Sequence, residues 1–144
     1  MVFETETDLK NESRTIDLFC QYMKCDWQKL PKCDVNALLV RNGSGVGFAE
    51  VKNYTSTSSQ YPSGMLSINK LQKLIECARF LPVVLIVNHA DKLGYIKIDD
   101  ISGGIEMGGR KPRGGSTNDI EWVIKFDKSP IVWIYDNIKN EFIK

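Results

Sequence analysis

The sequence has few of the residues from which zinc sites are built. Its 144 residues include one histidine, His89, and four cysteines, none of them in a Cys-x-x-Cys pair. Cys20, Cys25 and Cys33 are irregularly spaced for a zinc site, and no fourth ligand is obvious. We therefore interpret the cysteines as reduced, half-buried thiols, and His89, which follows an apolar run, as a structural residue.

Charge imbalance, long apolar runs and internal repeats are also missing. The formal net charge is +1, so a nucleic-acid partner must be held by a local basic surface. No apolar run approaches the length of a membrane span, and the opening "MVFETETDLK" lacks the apolar region of a signal peptide. We expect a single cytoplasmic domain over residues 1–144, with no membrane partner.

The hydrophobic pattern predicts two helices and a series of strands. Apolar residues recur at helical spacing over 8–24, and Ser67 is a plausible N-cap for a second helix over 68–80. Residues 55–66 and Asp91 to Gly94 are typical of a loop and a turn, and 130–144 fits either a strand or a short helix. Strands are predicted at 27–31, 33–43, 46–54, 82–90, 95–101 and 119–126.

The order of these elements predicts the fold class. The strands on either side of Asn42-Gly43 form a hairpin, and the continuous apolar run at 82–90 suits a central strand covered on both faces. The resulting order is α-β-β-β-α-β with extra C-terminal strands. We therefore expect an α/β domain with a mixed central sheet.

An acid and a base lie side by side in the apolar strand "GFAEVKNY". Alternation places Glu50 and Lys52 on one face, and pairing across the turn brings Asp34 close to Glu50 at the open end of the hairpin. Two neighbouring carboxylates repel each other unless a cation lies between them. A hard divalent ion such as Mg²⁺ binds oxygen ligands, and the carbonyl of Val51 is placed to add one.

Lys52 gives this group of residues a possible chemistry. Beside a metal ion, it would orient the attacking water and offset charge that builds on a phosphate, which suits phosphodiester hydrolysis. The plainer alternative is a cross-strand ion pair on a solvent-facing hairpin edge. The flanking Phe48, Ala49 and Val51 favour a central strand instead.

Asp34, followed after fifteen residues by "EVK" at 50–52, resembles the PD-(D/E)XK nuclease superfamily, which has the restriction-endonuclease-like fold. The order of elements over residues 8–99 also resembles the core of that fold. Pro31 lies three residues before Asp34 rather than beside it, so the literal signature is only partly met. The resemblance implies a DNA nuclease that uses Mg²⁺, with Mn²⁺ able to substitute. The resemblance also implies a small member of the superfamily, of the phage type or similar to Holliday-junction resolvases. Such a protein is a candidate homodimer and would act in the cytoplasm, that of the host if a phage encodes it.

The resemblance also implies site residues on the two helices. An acidic residue on the first helix is frequent in the superfamily, and Glu12 is our candidate for a further metal ligand. A polar or basic residue on the second helix often joins the site, and here Lys70 is the first candidate and Gln72 the second. The plainer alternatives are a solvated helix residue and a surface lysine. Three residues compete with Glu12: Glu4, Glu6 and Asp8.

Residues 102–118 form the only glycine-rich stretch, and it contains Arg110, Lys111 and Arg113. It resembles the glycine- and arginine-bearing tail of small phage-type nucleases. We expect a basic loop that grips phosphates, because glycines let backbone amides approach and arginines donate forked hydrogen bonds. The alternative is a surface loop that happens to be basic.

Two other functions remain open from the sequence. A non-catalytic module on the same fold would bind nucleic acid or a protein partner, but it need not keep Asp34, Glu50 and Lys52 together. An enzyme acting on small phosphoesters would need a closed pocket, for which the sequence gives no sign. For a nuclease, so small a domain favours recognition of DNA structure or ends over recognition of sequence.

Overall fold

The computed structural model describes residues 6–31, 35–109 and 120–144. Its two α-helices are α1 (Glu6–Met23) and α2 (Ile68–Ala78). A short 3-10 helix covers Ile98–Asp100. The strands are β1 (Asp26–Lys29), β2 (Ala37–Arg41), β3 (Ser44–Asn53), β4 (Ser63–Ser67), β5 (Val83–Asn88), β6 (Lys92–Lys97), β7 (Gly103–Gly109), β8 (Ile120–Asp127), β9 (Val132–Asp136) and β10 (Glu141–Phe142).

The strands form a large mixed sheet and a small antiparallel one. The large sheet has the order β1-β2-β3-β5-β6-β9-β10, and the small sheet has the order β4-β8-β7. β3 runs parallel to β5, whereas the other neighbouring pairs of the large sheet are antiparallel. The predicted α/β class with a mixed central sheet is therefore confirmed. The observed chain order differs from the expected one by β4, which lies between the third strand and the second helix.

The large sheet is covered on both faces, as its central strand β5 requires. One face packs against α1, with Ile86 of β5 and Ala49 of β3 in the same buried cluster as Phe19. The other face packs against α2 and the small sheet, with Leu85 beside Leu74 and Phe126. The alternation along β5 thus places its side chains in two separate cores, which explains its continuous apolar sequence.

Two segments predicted as loops contain strands. Strand β4, residues 63–67, overlaps the predicted loop 55–66 and pairs with β8. Strand β7, residues 103–109, lies in the predicted loop 102–118 and also pairs with β8. Glycine explains part of the error, because a Cβ on Gly103 would collide with the carbonyl of Lys125. Glycine there permits close approach of a neighbouring strand, a role that composition alone does not reveal. Residues 110–119 lie outside the described part of the chain.

The C-terminal part of the chain also differs from the sequence prediction. The turn predicted from Asp91 to Gly94 is displaced, since the chain turns over residues 89–91 and β6 already begins at Lys92. The strand predicted over 95–101 ends at Lys97 and is followed by the 3-10 helix. Residues 130–144, expected to form either a strand or a short helix, contain the strands β9 and β10. Among the described residues, no helix is both long and apolar enough to cross a membrane.

Candidate active site

Glu50 is a charged residue on an interior strand of the large sheet. β3 lies between β2 and β5, and Glu50 is in register with Leu85 of β5. Only 7% of the residue is exposed. Burial of a carboxylate is costly unless hydrogen bonds and a counter-charge compensate it, so the partners of Glu50 define the site.

Two groups hold the Glu50 carboxylate. The backbone N–H of Asn36 donates to its Oε1 at 3.1 Å, and the Nζ atom of Lys70 lies 2.9 Å from its Oε2. Burial raises the pKa of Glu50 above its usual value, while Lys70, the Asn36 amide and the charge of Lys52 oppose that increase. The carboxylate is therefore held at a fixed position with one ammonium group directly upon it.

Asn36 also orders the backbone next to Glu50. Its side-chain Oδ1 accepts the N–H of Val51 at 2.7 Å. The pairing of β2 with β3 ends at Ala37 and Ala49, so this side-chain bond continues the contact one step beyond the ladder. The N–H and C=O of a strand residue leave on the same side, so the Val51 carbonyl faces the side of Asn36 rather than β5.

The first turn of α2 positions Lys70. Ser67 caps the helix, and its Oγ accepts the backbone N–H of Lys70 at 3.1 Å. β4 ends at Ser67 and α2 begins at the next residue, so the cap also joins the helix to the small sheet. This geometry directs the side chain of Lys70 toward β3, while 34% of that side chain stays exposed.

Glu50 and Lys70 line a cleft of about 290 Å³ between the large sheet, α2 and the small sheet. Lys52 lines it too, as an exposed residue on the same face of β3 as Glu50. Across the cleft lies Glu121 of β8, which is exposed. The cleft therefore combines one buried carboxylate, one exposed carboxylate and two ammonium groups. In chemical terms, carboxylates offer oxygen ligands to a cation, whereas ammonium groups attract a phosphate.

A family model described as "Phage putative PDDEXK endonuclease" matches residues 1–132 of the 144-residue chain. The chain belongs to this family. The resemblance drawn from Asp34 and the "EVK" at 50–52 is thereby confirmed at the level of the family. No curated protein matches the chain.

Of the remaining residues assigned from the PDDEXK resemblance, the structure describes Glu12 and Gln72, and the two lie in different places. Glu12 is half-buried on α1, which packs on the face of the large sheet opposite to the face that bears Glu50 and Lys52. Gln72 is exposed and lines a different groove on α2. Within the described part of the chain, no three His, Cys, Asp or Glu residues form a group that could hold a metal ion. Four further candidates lie outside the described residues: Asp34, Arg110, Lys111 and Arg113.

Sequence reasoning missed Asn36 and Glu121. Asn36 lies two residues after Asp34, in the strand expected to pair with "EVK", and this position was the only signal for it. Glu121 lies in the predicted strand 119–126, but nothing in the sequence indicates that this strand reaches the cleft. His89, interpreted as structural, is buried and stacks on Tyr54 with ring centroids 4.5 Å apart.

Proposed function

We propose that this protein is a metal-dependent nuclease that hydrolyses phosphodiester bonds in DNA. One observation carries the proposal: Glu50 is buried on an interior strand at the wall of an open polar cleft, with Lys52 two residues further on the same face. Structural ion pairs do not need an open cleft, whereas a substrate does. Membership of a phage PDDEXK endonuclease family supports the same conclusion.

In this proposal, a hard divalent ion binds to the oxygen atoms around Glu50. The Glu50 carboxylate and the Val51 carbonyl are oxygen donors of the kind that Mg²⁺ and Mn²⁺ bind. We assign Asp34, two residues before Asn36 in the chain, as the second carboxylate, and Glu12 as a further ligand, directly or through water. When bound, the ion would polarise the scissile phosphate and make a bound water more acidic.

The lysines of the cleft perform the remaining steps in this proposal. Lys52 orients the attacking water and stabilises negative charge that develops on the phosphate. Lys70 holds a substrate phosphate, and Gln72 is the second candidate for that role. In the same proposal, Arg110, Lys111 and Arg113 grip the DNA backbone through charge-assisted hydrogen bonds.

The proposed substrate is DNA with a particular structure or end rather than a particular sequence. The cleft is formed by elements of the nuclease core and the small sheet, and no separate specificity domain is needed for such recognition. We further propose that the protein acts in the cytoplasm, that of the host if a phage encodes it, and that it pairs as a homodimer to cut two strands. Measurement of the solution mass tests the dimer.

Cleavage assays test the proposed activity. The substrates are plasmid, single-stranded and branched DNA together with RNA, each incubated with Mg²⁺, with Mn²⁺ and with a chelator. We expect DNA to be cut only with metal, and Lys52→Ala to abolish cutting while the circular dichroism spectrum is retained. Lys97→Ala is the matched control, because Lys97 is exposed on β6 of the same sheet. Undiminished cutting by the Lys52→Ala protein would contradict the assignment.

A metal titration separates this proposal from the non-catalytic alternative. A nuclease of this kind binds Mn²⁺, and Glu50→Gln should strongly lower its affinity for the ion. Binding of DNA with neither Mn²⁺ binding nor cleavage would instead support a binding module on the same fold.

A further inference from the structure

The ammonium group of Lys70 lies against the Glu50 carboxylate oxygen to which a metal ion would bind. The Nζ atom of Lys70 lies 2.9 Å from Oε2 of Glu50, and the Glu50 side chain is 10% exposed. A divalent ion bonded to the same oxygen would lie about 2.1 Å away. Two cations this close to one oxygen repel each other strongly, because the surroundings are only partly solvated. Metal and Lys70 therefore compete for Oε2.

The backbone of Lys70 is held more firmly than its side chain. Its backbone N–H is fixed by the Ser67 cap, whereas its side chain is one-third exposed and has four flexible carbons. The ammonium group can move into the cleft while the Cα atom stays in place. Lys52 lines the same cleft, so a displaced Lys70 ammonium group would stay near a second positive charge, and the two together attract a phosphate.

We propose that Lys70 is a displaceable counter-ion: it neutralises Glu50 in the metal-free protein and transfers to a DNA phosphate when a divalent ion takes its place. This inference rests on the proposed function, in which Glu50 binds the metal. The transfer makes metal binding and DNA binding mutually favourable, because the metal releases the group that the phosphate needs. By linkage, each ligand must raise the affinity for the other by the same factor.

The first test uses the unaltered protein and the reactivity of its lysine amines. Reductive methylation followed by mass spectrometry reports how accessible the Lys70 amine is, and Lys73 on the same helix is the internal reference. We expect Mg²⁺ alone to increase methylation of Lys70 several-fold relative to Lys73. Addition of a phosphorothioate DNA, which resists hydrolysis, should then decrease it. Methylation of Lys70 that is unchanged by Mg²⁺ would overturn the inference.

The second test compares Lys70→Met with the wild type by calorimetric titration of Mn²⁺, with and without the phosphorothioate DNA. Methionine keeps an unbranched stem but removes the charge. We expect Lys70→Met to bind Mn²⁺ alone about tenfold more tightly, because its competitor is gone. The increase in Mn²⁺ affinity caused by DNA should be about tenfold in the wild type and should largely vanish in the variant.

Controls separate a failure of this inference from a failure of the proposed function. Lys73→Met removes a charge from the exposed face of α2 and should leave the Mn²⁺ affinity within about twofold of the wild type. If the wild type binds Mn²⁺ through Glu50 but Lys70→Met binds it no more tightly, only the counter-ion role is wrong. If the wild type binds no Mn²⁺, both proposals are wrong. Thermal melting of Lys70→Met confirms that the variant is folded, and the methylation test does not depend on it.

Discussion

Asn36 holds Glu50 from across the β2–β3 pair, with its backbone N–H 3.1 Å from Oε1 of the carboxylate. The same residue accepts the N–H of Val51 through its side chain. One residue thus fixes both the acid and the backbone that follows it. The position of Glu50 therefore depends on a contact with the residue that precedes β2 and not on β3 alone.

Replacement of Asn36 by alanine should loosen this arrangement. Asn36→Ala keeps the backbone donor to Glu50 but leaves the N–H of Val51 without its acceptor, which should lower the free energy of unfolding by about 1 kcal/mol. Urea denaturation measures the change. Asn36→Asp retains an acceptor but places a second carboxylate beside Glu50, so it should also be less stable than the wild type. Unchanged stability in Asn36→Ala would show that the side-chain bond to Val51 contributes nothing.

Glu50→Gln should stabilise the protein although it removes the proposed metal ligand. A neutral amide at this buried position avoids the desolvation of a carboxylate, and the partly exposed Lys70 can turn to water. We expect the free energy of unfolding at neutral pH to rise by about 1 kcal/mol in the absence of metal. Glu106→Gln, which removes an exposed ion pair with Lys125, is the control and should change stability by less than about 0.5 kcal/mol. A less stable Glu50→Gln protein would mean that the ion pair with Lys70 outweighs the cost of burial.

His89 should make the protein less stable in mild acid. Burial lowers the pKa of its ring below 6.5, although the carbonyl of Ser56 and the charge of Asp91 favour protonation, and Lys128 and Lys92 oppose it. Below pH 6.5 the unfolded chain takes up a proton that the folded ring resists, so stability is lost as the pH falls. Since His89 is the only histidine, NMR titration of one ring measures this pKa directly. The stability of His89→Gln should fall less steeply from pH 6.5 to about pH 5 than that of the wild type.

Substitution of Gly94 tests the pairing of β6 with β9, which the sequence did not predict. A Cβ at this position would lie 2.6 Å from the carbonyl oxygen of Val132 and 2.8 Å from the ring of Trp133. Gly94→Ala should therefore lower the free energy of unfolding by about 2 kcal/mol. Gly104→Ala is the matched control, because a Cβ there meets nothing within 4 Å. Little loss in Gly94→Ala would contradict the observed pairing of β6 with β9.

The sequence was informative where local pattern determines the structure. Alternation around Glu50 and Lys52 predicted an interior strand with both charges on one face, and Ser67 with the apolar period after it predicted α2. By contrast, β4 and β7 depend on their common partner β8, and their polar and glycine-rich sequences carry no strand pattern of their own. Such segments form strands because a neighbour supplies the hydrogen bonds and the packing.

Contacts between distant elements explain the rest of what the sequence did not reveal. The hydrogen bond from Asn36 and the ion pair of Lys70 both join Glu50 to other elements, and neither follows from residue spacing. The helical pattern of α1 was predicted, but periodicity does not indicate which face of a sheet a helix covers. For this reason the assignment of Glu12 remains a proposal, whereas the structure places Lys70 against Glu50.

The direct junction of β4 with α2 has a mechanical consequence for the cleft. Ser67 ends β4 and also caps α2, so the small sheet is joined directly to the helical turn that carries Lys70. Under the proposed function, a displacement of the small sheet by DNA bound to β7 or β8 would move Ser67, and with it the Lys70 ammonium group on Glu50. In the proposed nuclease, contacts between DNA and the small sheet would in this way change the charge next to Glu50.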